Sequence, residues 1–204
     1  MAIRRFIDAF DVFFYKLFQE SDSKRKGQLF EEHLVEWIFT REYYDLLHLT
    51  QDGYTNFFRY VKSSEYPDFK FQDRIGGKKF WVDAKYRTAW LGNFPDQYIY
   101  FLTESQLERY KEVDKKLPVF IAVGTGNKAH NPNQIYLIPV RFIKVAYKIY
   151  KKYLLPFEID NAFKFPEEKK HELALPPQTL WERLDPVSYT HLRAHETLRY
   201  LVCR

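Results

Sequence analysis

Two carboxylates and one ammonium, Asp68, Asp83 and Lys85, sit where they could do phosphodiester chemistry. Asp83-Ala84-Lys85 closes an alternating, aromatic-rich segment, Lys79 to Arg87, that follows Gly76-Gly77; Pro67-Asp68 opens the segment before that turn. Two such segments around a Gly-Gly turn predict a β-hairpin. Pairing centred on the glycines sets Asp68 opposite Lys85, with Asp83 two positions along the same strand. Side chains alternate faces in a strand. Phe80, Val82, Ala84 and Tyr86 therefore share an apolar face, and Lys79, Trp81, Asp83, Lys85 and Arg87 share the other. Hard cations such as Mg²⁺ take carboxylate, carbonyl and water oxygens. Asp68, Asp83 and the carbonyl of Ala84 offer three. A cation there would neutralise a scissile phosphate and acidify a bound water. Lys85 would stabilise the developing negative charge, and Lys79 and Arg87 are candidates for flanking phosphate contacts or for solvated cations.

Asp/Glu-x-Lys alone is unspecific, since it also begins at Asp22, Asp68, Asp114, Glu167 and Glu168. Only the copy at Asp83 ends an alternating strand with a second Asp across a hairpin. Upstream, Lys26-Gly27-Gln28-Leu29-Phe30-Glu31 opens an amphipathic segment running to about Tyr44. Phe30, Leu34, Trp37 and Ile38 recur at helical spacing and predict a buried stripe. Glu31 flanks that stripe and would face the hairpin if the helix packs on the sheet.

Taken together, Gly27-x-x-Phe30-Glu31, then Pro67-Asp68, then Phe80-Trp81-Val82-Asp83-Ala84-Lys85-Tyr86-Arg87 resembles the PD-(D/E)XK nuclease superfamily, in its restriction-endonuclease-like and Holliday-junction-resolvase-like branches. The resemblance spans roughly Lys24 to Val140. It implies an α/β fold with a restriction-endonuclease-like core, a central mixed β-sheet flanked by helices. It implies a Mg²⁺-dependent endodeoxyribonuclease, with Mn²⁺ substituting, whose products carry a 5′-phosphate. The metal ligands would be Asp68, Asp83, the Ala84 carbonyl and Glu31, directly or through water. Several branches place a Gln on the helix after the Asp-x-Lys strand, near the catalytic Lys and the substrate phosphate. Gln106 is the candidate here and Gln97 a second.

The elements that must position these residues follow from pattern and punctuation. Ile3 to Gln19 reads as a Phe-rich helix, followed by the Glu31 helix and a turn at Asp52-Gly53. Tyr54 to Val61 reads as the first strand, Asp68 to Gln72 and Lys79 to Arg87 as the hairpin, and Leu91 to Tyr100 as a loop. Thr103 to Val113 reads as the Gln106 helix. Pro118 to Val123 is apolar enough to be buried on both faces. Ile135 to Val140 is a further strand, and Arg141 to Leu155 reads as a helix. The order predicts one nuclease-like domain over 1–155 and a Pro- and charge-rich extension over 156–185, with a short helix near Leu180. Pro186 to Thr197 resembles the conceptual translation of a sequencing adapter, so 186–204 is read as a non-native tail.

Composition narrows the classes. The chain has 204 residues, 46% hydrophobic and 19% aromatic, with net charge +5 and pI near 9.0. That is enough apolar material for a compact domain, and the positive balance suits a polyanionic partner such as DNA. There is no apolar run of about 18 residues to span a membrane, and the basic start Met1 to Phe6 leads into no signal-peptide pattern. The single Cys, Cys203, allows no intrachain disulfide and fits a reducing cytoplasm. Gly124-Thr125-Gly126-Asn127-Lys128-Ala129 fits a dinucleotide fingerprint, but a loop and a strand follow where a helix would be required. Paired Cys/His zinc spacing, a P-loop and a nucleophile elbow are missing. No separate DNA-reading motif is evident, so two other roles stay open: a non-cleaving nucleic-acid-binding module, or a partner-dependent subunit of a defence or repair system. Cutting both strands with one site per chain would favour a homodimer.

Overall fold

The computed structural model describes residues 22–49, 66–159 and 174–185. The expected helix at Ile3 to Gln19, the turn at Asp52-Gly53, the strand at Tyr54 to Val61 and the tail after Asp185 lie outside them. The described residues form an α/β fold: a five-stranded mixed sheet flanked by helices, with a two-stranded sheet beside it.

In chain order the elements are α1 (Asp22–His33), β1 (Tyr44–Leu49), β2 (Phe69–Asp73), β3 (Lys79–Arg87), β4 (Tyr98–Tyr100), α2 (Glu104–Asp114), β5 (Val119–Thr125), β6 (Gln134–Pro139), β7 (Lys148–Tyr150), the single turn α3 (Lys151–Leu154) and α4 (Pro177–Glu182). The large sheet runs β1-β2-β3-β5-β6, and the small one pairs β4 with β7. Among the described strands only β3 and β5 are parallel, with α2 in the crossover between them. A parallel pair needs such a crossover.

The hairpin forms as expected, but two residues out of the expected register. Phe69 faces Val82 and Phe71 faces Phe80, so Asp68 comes level with Asp83, not Lys85. The loop is set by Asp73. Its fully buried carboxylate accepts backbone N–H bonds from Gly76, Gly77 (3.1 Å) and Lys78 (3.2 Å). Gly77 supplies the left-handed φ of 69° that closes the turn. A shift of two keeps every side chain on its expected face, so the chemistry of the hairpin survives the correction.

The helix that carries Glu31 is shorter than its stripe suggests. After His33 the chain widens into a π turn over Leu34–Ile38, closed by the Phe39 N–H on the Leu34 carbonyl at 2.7 Å. The wider turn lets Leu34, Ile38 and Phe39 all point inward, each 0–1% exposed. Trp37 is left half-buried, stacked on His33. Tyr44 opens strand β1 instead of ending a helix. Its buried hydroxyl donates to the Leu175 carbonyl at 2.8 Å, a partner 131 residues away that no local pattern could reveal.

Two apolar layers cover the sheet. On one face Phe80, Val82 and Tyr86 of β3 pack with Phe30, Leu34 and Ile38, with Leu180 of α4 and with Leu175 just before it. On the other, Trp81 packs with Leu107 and Tyr110 of α2 and with Val119, Ile121 and Val123 of β5. The expected polar face of β3 is therefore also covered. β5 is buried at all seven positions, as its apolar run predicts. The expected helix at Arg141 to Leu155 divides into a 3₁₀ turn over Val140–Phe142, strand β7 and the turn α3, because β7 pairs with β4. The stretch at Gly124 to Ala129 ends a strand and enters a turn, with no helix N-terminus.

Candidate active site

β3 delivers Asp83 and Lys85 to the same face, and the start of β2 brings Asp68 beside them. Asp68 Oδ2 accepts the backbone N–H of Ala84 at 2.7 Å, which pins the carboxylate across the strand pair. Lys85 Nζ stands 2.6 Å from Asp83 Oδ2. The contact is a tight ion pair, with Asp83 almost fully buried. Lys85 Nζ also reaches the Ala84 carbonyl at 3.5 Å. The other oxygen of Asp83, Oδ1, accepts the Tyr110 hydroxyl at 2.6 Å. Asp83 is 1% exposed, Asp68 half-buried.

The electrostatics follow from crowding. Burial, then the charge of Asp83, and further Glu31, push the Asp68 carboxyl well above the usual carboxylate range; Lys85 and the Ala84 N–H oppose them. Glu31, on α1 behind the sheet, is thus close enough for its charge to be felt at Asp68. Burial pulls the Lys85 ammonium down, but Asp83 and Asp68 more than offset it and hold it above its ordinary value. Burial raises the Tyr110 hydroxyl, and the charge of Asp83 raises it further. At neutral pH Lys85 is a cation and Tyr110 a neutral donor.

The remaining expected residues are placed differently. Arg87 is half-buried on the same face, with Nε on the Tyr100 carbonyl at 2.5 Å and Nη1 on the Tyr86 carbonyl at 2.7 Å. Lys79 is exposed at the hairpin end of β3, roughly 13 Å along the strand from Asp83. Gln106 is the N3 residue of a capping box on α2. Its Oε1 accepts the Thr103 N–H at 3.0 Å, and its own N–H donates to Thr103 Oγ1 at 3.3 Å. The Thr103-x-x-Gln106 spacing is the signature of that motif. Gln97 lies just before β4, its carbonyl taking the Lys151 N–H at 2.8 Å. The helix residue that reaches the trio is Tyr110, one turn beyond Gln106. Tyr110 falls within the helix expected over Thr103 to Val113. Its signal was the i, i+3 spacing with Leu107, which puts both on the buried face.

Among the described residues, no three His, Cys, Asp or Glu side chains converge into a ready-made metal cluster. The donor set nevertheless suits a hard cation: two adjacent carboxylates, a third in electrostatic reach and the Ala84 carbonyl, met by Lys85 Nζ at 3.5 Å. Burial first, and then the neighbouring Asp83 carboxylate, raises Asp68 despite Lys85, so a cation held there would favour its charged form.

No family model matches the chain, and no curated protein does. Among solved structures it is similar to Hjc of Archaeoglobus fulgidus, a Holliday junction resolvase from an archaeal hyperthermophile. The identity is 14% and the TM-score 0.42, over 63% of this chain and 90% of that one. The likeness is distant, and the chemistry of the site is carried by its own residues.

Proposed function

We propose that the chain is a metal-dependent nuclease of the PD-(D/E)XK type that hydrolyses phosphodiester bonds in DNA. The observation that carries the reading is the convergence of Asp68, Asp83 and Lys85 at the carboxyl end of β3, with Lys85 2.6 Å from Asp83. Asp68, Asp83 and the Ala84 carbonyl would hold Mg²⁺ or Mn²⁺, with Glu31 acting from α1. Bound there, the cation supplies charge neutralisation at the phosphate and a more acidic water. The chain's own residues do the rest. Lys85 presents a fixed positive charge to the phosphate oxygens, where negative charge grows as the bond breaks. The Ala84 N–H holds Asp68 in place, and the Tyr110 hydroxyl fixes the rotamer of Asp83. Product carrying a 5′-phosphate, a preference for restriction-type or junction substrates, and assembly as a homodimer or within a defence or repair complex belong to the same proposal.

One observation favours a second reading. Asp83 is almost fully buried, with both oxygens engaged by Tyr110 and Lys85. Such a closed site also suits a nucleic-acid-binding subunit that cuts only when a partner or substrate rearranges it, or that does not cut.

The deciding experiment incubates the purified chain with supercoiled plasmid and with a four-way junction, in Mg²⁺, Mn²⁺ or EDTA, beside Asp83→Ala. Metal-dependent cutting that vanishes in Asp83→Ala while DNA binding persists is expected, because binding rests on basic contacts. Full activity of Asp83→Ala would sink the nuclease reading. Binding without cutting under every condition would favour the second.

A further inference from the structure

The small sheet is two-faced for the same reason that β3 is. Ile99 of β4 and Ile149 of β7 turn inward, onto the layer that contains Trp81 and Tyr110. Alternation then sends Tyr98, Tyr100, Lys148 and Tyr150 outward. The register sets Tyr98 opposite Tyr150 and Tyr100 opposite Lys148. The rings meet edge to face, with centroids 5.6 Å apart for Tyr98 and Tyr100, 6.0 Å for Tyr98 and Tyr150, and 6.3 Å for Tyr150 and Tyr153.

Lysines are threaded through these rings. Lys148 Nζ lies 3.8 Å from the Tyr98 ring centre and 4.7 Å from that of Tyr150. Lys152 Nζ lies 5.5 Å from Tyr150 and 5.7 Å from Tyr153. Asp96 is the carboxylate that joins the group, paired to Lys152 at 3.2 Å. The outer rings are open: Tyr100 is 52% exposed and Tyr153 61%. Tyr147, also exposed, is held in a left-handed conformation (φ 64°) by two backbone bonds, from its N–H to Leu102 and from Phe101 to its carbonyl. Such strain in a non-glycine residue persists only where the surroundings impose it.

The patch is joined to the candidate active site. Arg87, two residues after Lys85 on β3, bonds the carbonyl of Tyr100.

We propose that this outer face of β4 and β7 is a stacking platform for unpaired nucleotides of a DNA strand that leads into the Asp68–Asp83–Lys85 site. Open aromatic faces gain from stacking on bases, and the interleaved ammonium groups meet the phosphates between them. A blunt duplex hides its base faces and could use only the lysines. A protein partner fits less well, because interface cores are depleted in charge, whereas here Lys148 sits at the centre. The proposal rests on the reading that the protein acts on nucleic acid, and it adds the strand form.

The test is fluorescence anisotropy of the full chain in EDTA, with a short labelled oligo(dT) strand and a blunt duplex of equal length. Without metal, cleavage plays no part, so the platform and the nuclease reading can fail separately. The single strand should bind tighter than the duplex. Tyr100→Ala and Tyr153→Ala should each weaken strand binding about tenfold, with melting temperature unchanged because both rings are exposed. Tyr100→Phe, which keeps the ring, should restore it. Lys148→Gln should lower the salt slope for the single strand by about 0.7. Equal affinity for strand and duplex, or tyrosine variants that bind like wild type while Lys148→Gln alone weakens binding, would overturn the platform and leave an unspecific basic surface.

Discussion

Asp83 receives a hydrogen bond from Tyr110 and an ion pair from Lys85 with almost none of its surface in water. A buried carboxylate that loses a donor bears the full desolvation penalty. Tyr110→Phe should therefore cost roughly 1–3 kcal/mol, read from urea unfolding, with the far-ultraviolet dichroism of the native state unchanged. A cost near zero would show that the hydroxyl is not what holds Asp83. His33 makes a second residue-scale case. It is 5% exposed, and Nδ1 lies 2.8 Å from the His130 carbonyl. Burial lowers it from 6.5 to about 4, against a smaller raising effect of that hydrogen bond. The unfolded chain then binds a proton first as pH falls. The stability owed to neutral His33 is fully present above about pH 6.5 and drains away toward pH 4, by up to about 3 kcal/mol. Unfolding midpoints at pH 7 and pH 4.5 should differ less in His33→Gln than in wild type. Asp68, Asp83 and Lys85 could be singled out from the sequence because strand alternation and a Pro-Asp opening are local signals. Tyr110 as the partner of Asp83 could not, since that bond exists only once α2 lies on β3.

At the scale of elements, the approach of α1 to the sheet depends on Gly124. A Cβ there would lie 2.4–2.8 Å from the ring of Phe30, which is fully buried and has nowhere to retreat. Phe30 precedes Glu31 in the chain, so a displaced ring should shift the acidic side chain as well. Gly124→Ala should destabilise by about 1–3 kcal/mol and lower metal-dependent cleavage more than Thr103→Ala does. The latter removes only the α2 cap, at about 1 kcal/mol; thermal melts and plasmid nicking measure both. Comparable activity in the two variants would dissociate the α1 packing from the site. The close approach was not legible in advance. Gly124-Thr125-Gly126 looks like a phosphate-binding loop, whereas Gly124 is required by a ring 94 positions earlier in the chain.

For the whole molecule, the adjacent carboxylates of Asp68 and Asp83 should make the fold responsive to divalent cations. A ligand that binds only the folded state adds about 1.4 kcal/mol at ten times its Kd, a rise of roughly 3–6 °C for a chain of this size. Mg²⁺ should raise the melting temperature of the wild type, EDTA should reverse it, and Asp68→Asn should remove most of the effect. An equal rise in Asp68→Asn would place the cation elsewhere. Among the described residues no helix is long and apolar enough to cross a membrane.

By itself the sequence determined the α/β class, the hairpin, the fully buried strand β5, the short helix near Leu180 and the alternation that puts Asp83 and Lys85 on one face. The class follows from the order of elements and the resemblance they carry; the others depend on spacing within about ten residues, where backbone periodicity alone sorts side chains. The tertiary structure decided the rest. Asp73, by binding three loop N–H groups, shifted the register to set Asp68 beside Asp83. The pairing of β4 with β7 turned an expected helix into a strand bearing tyrosines and lysines. The packing of α2 brought Tyr110, and not Gln106, to the buried carboxylate. Each of these outcomes compares the energy of contacts between distant segments with a local preference of about 1 kcal/mol or less, and the distant contacts are the larger sum.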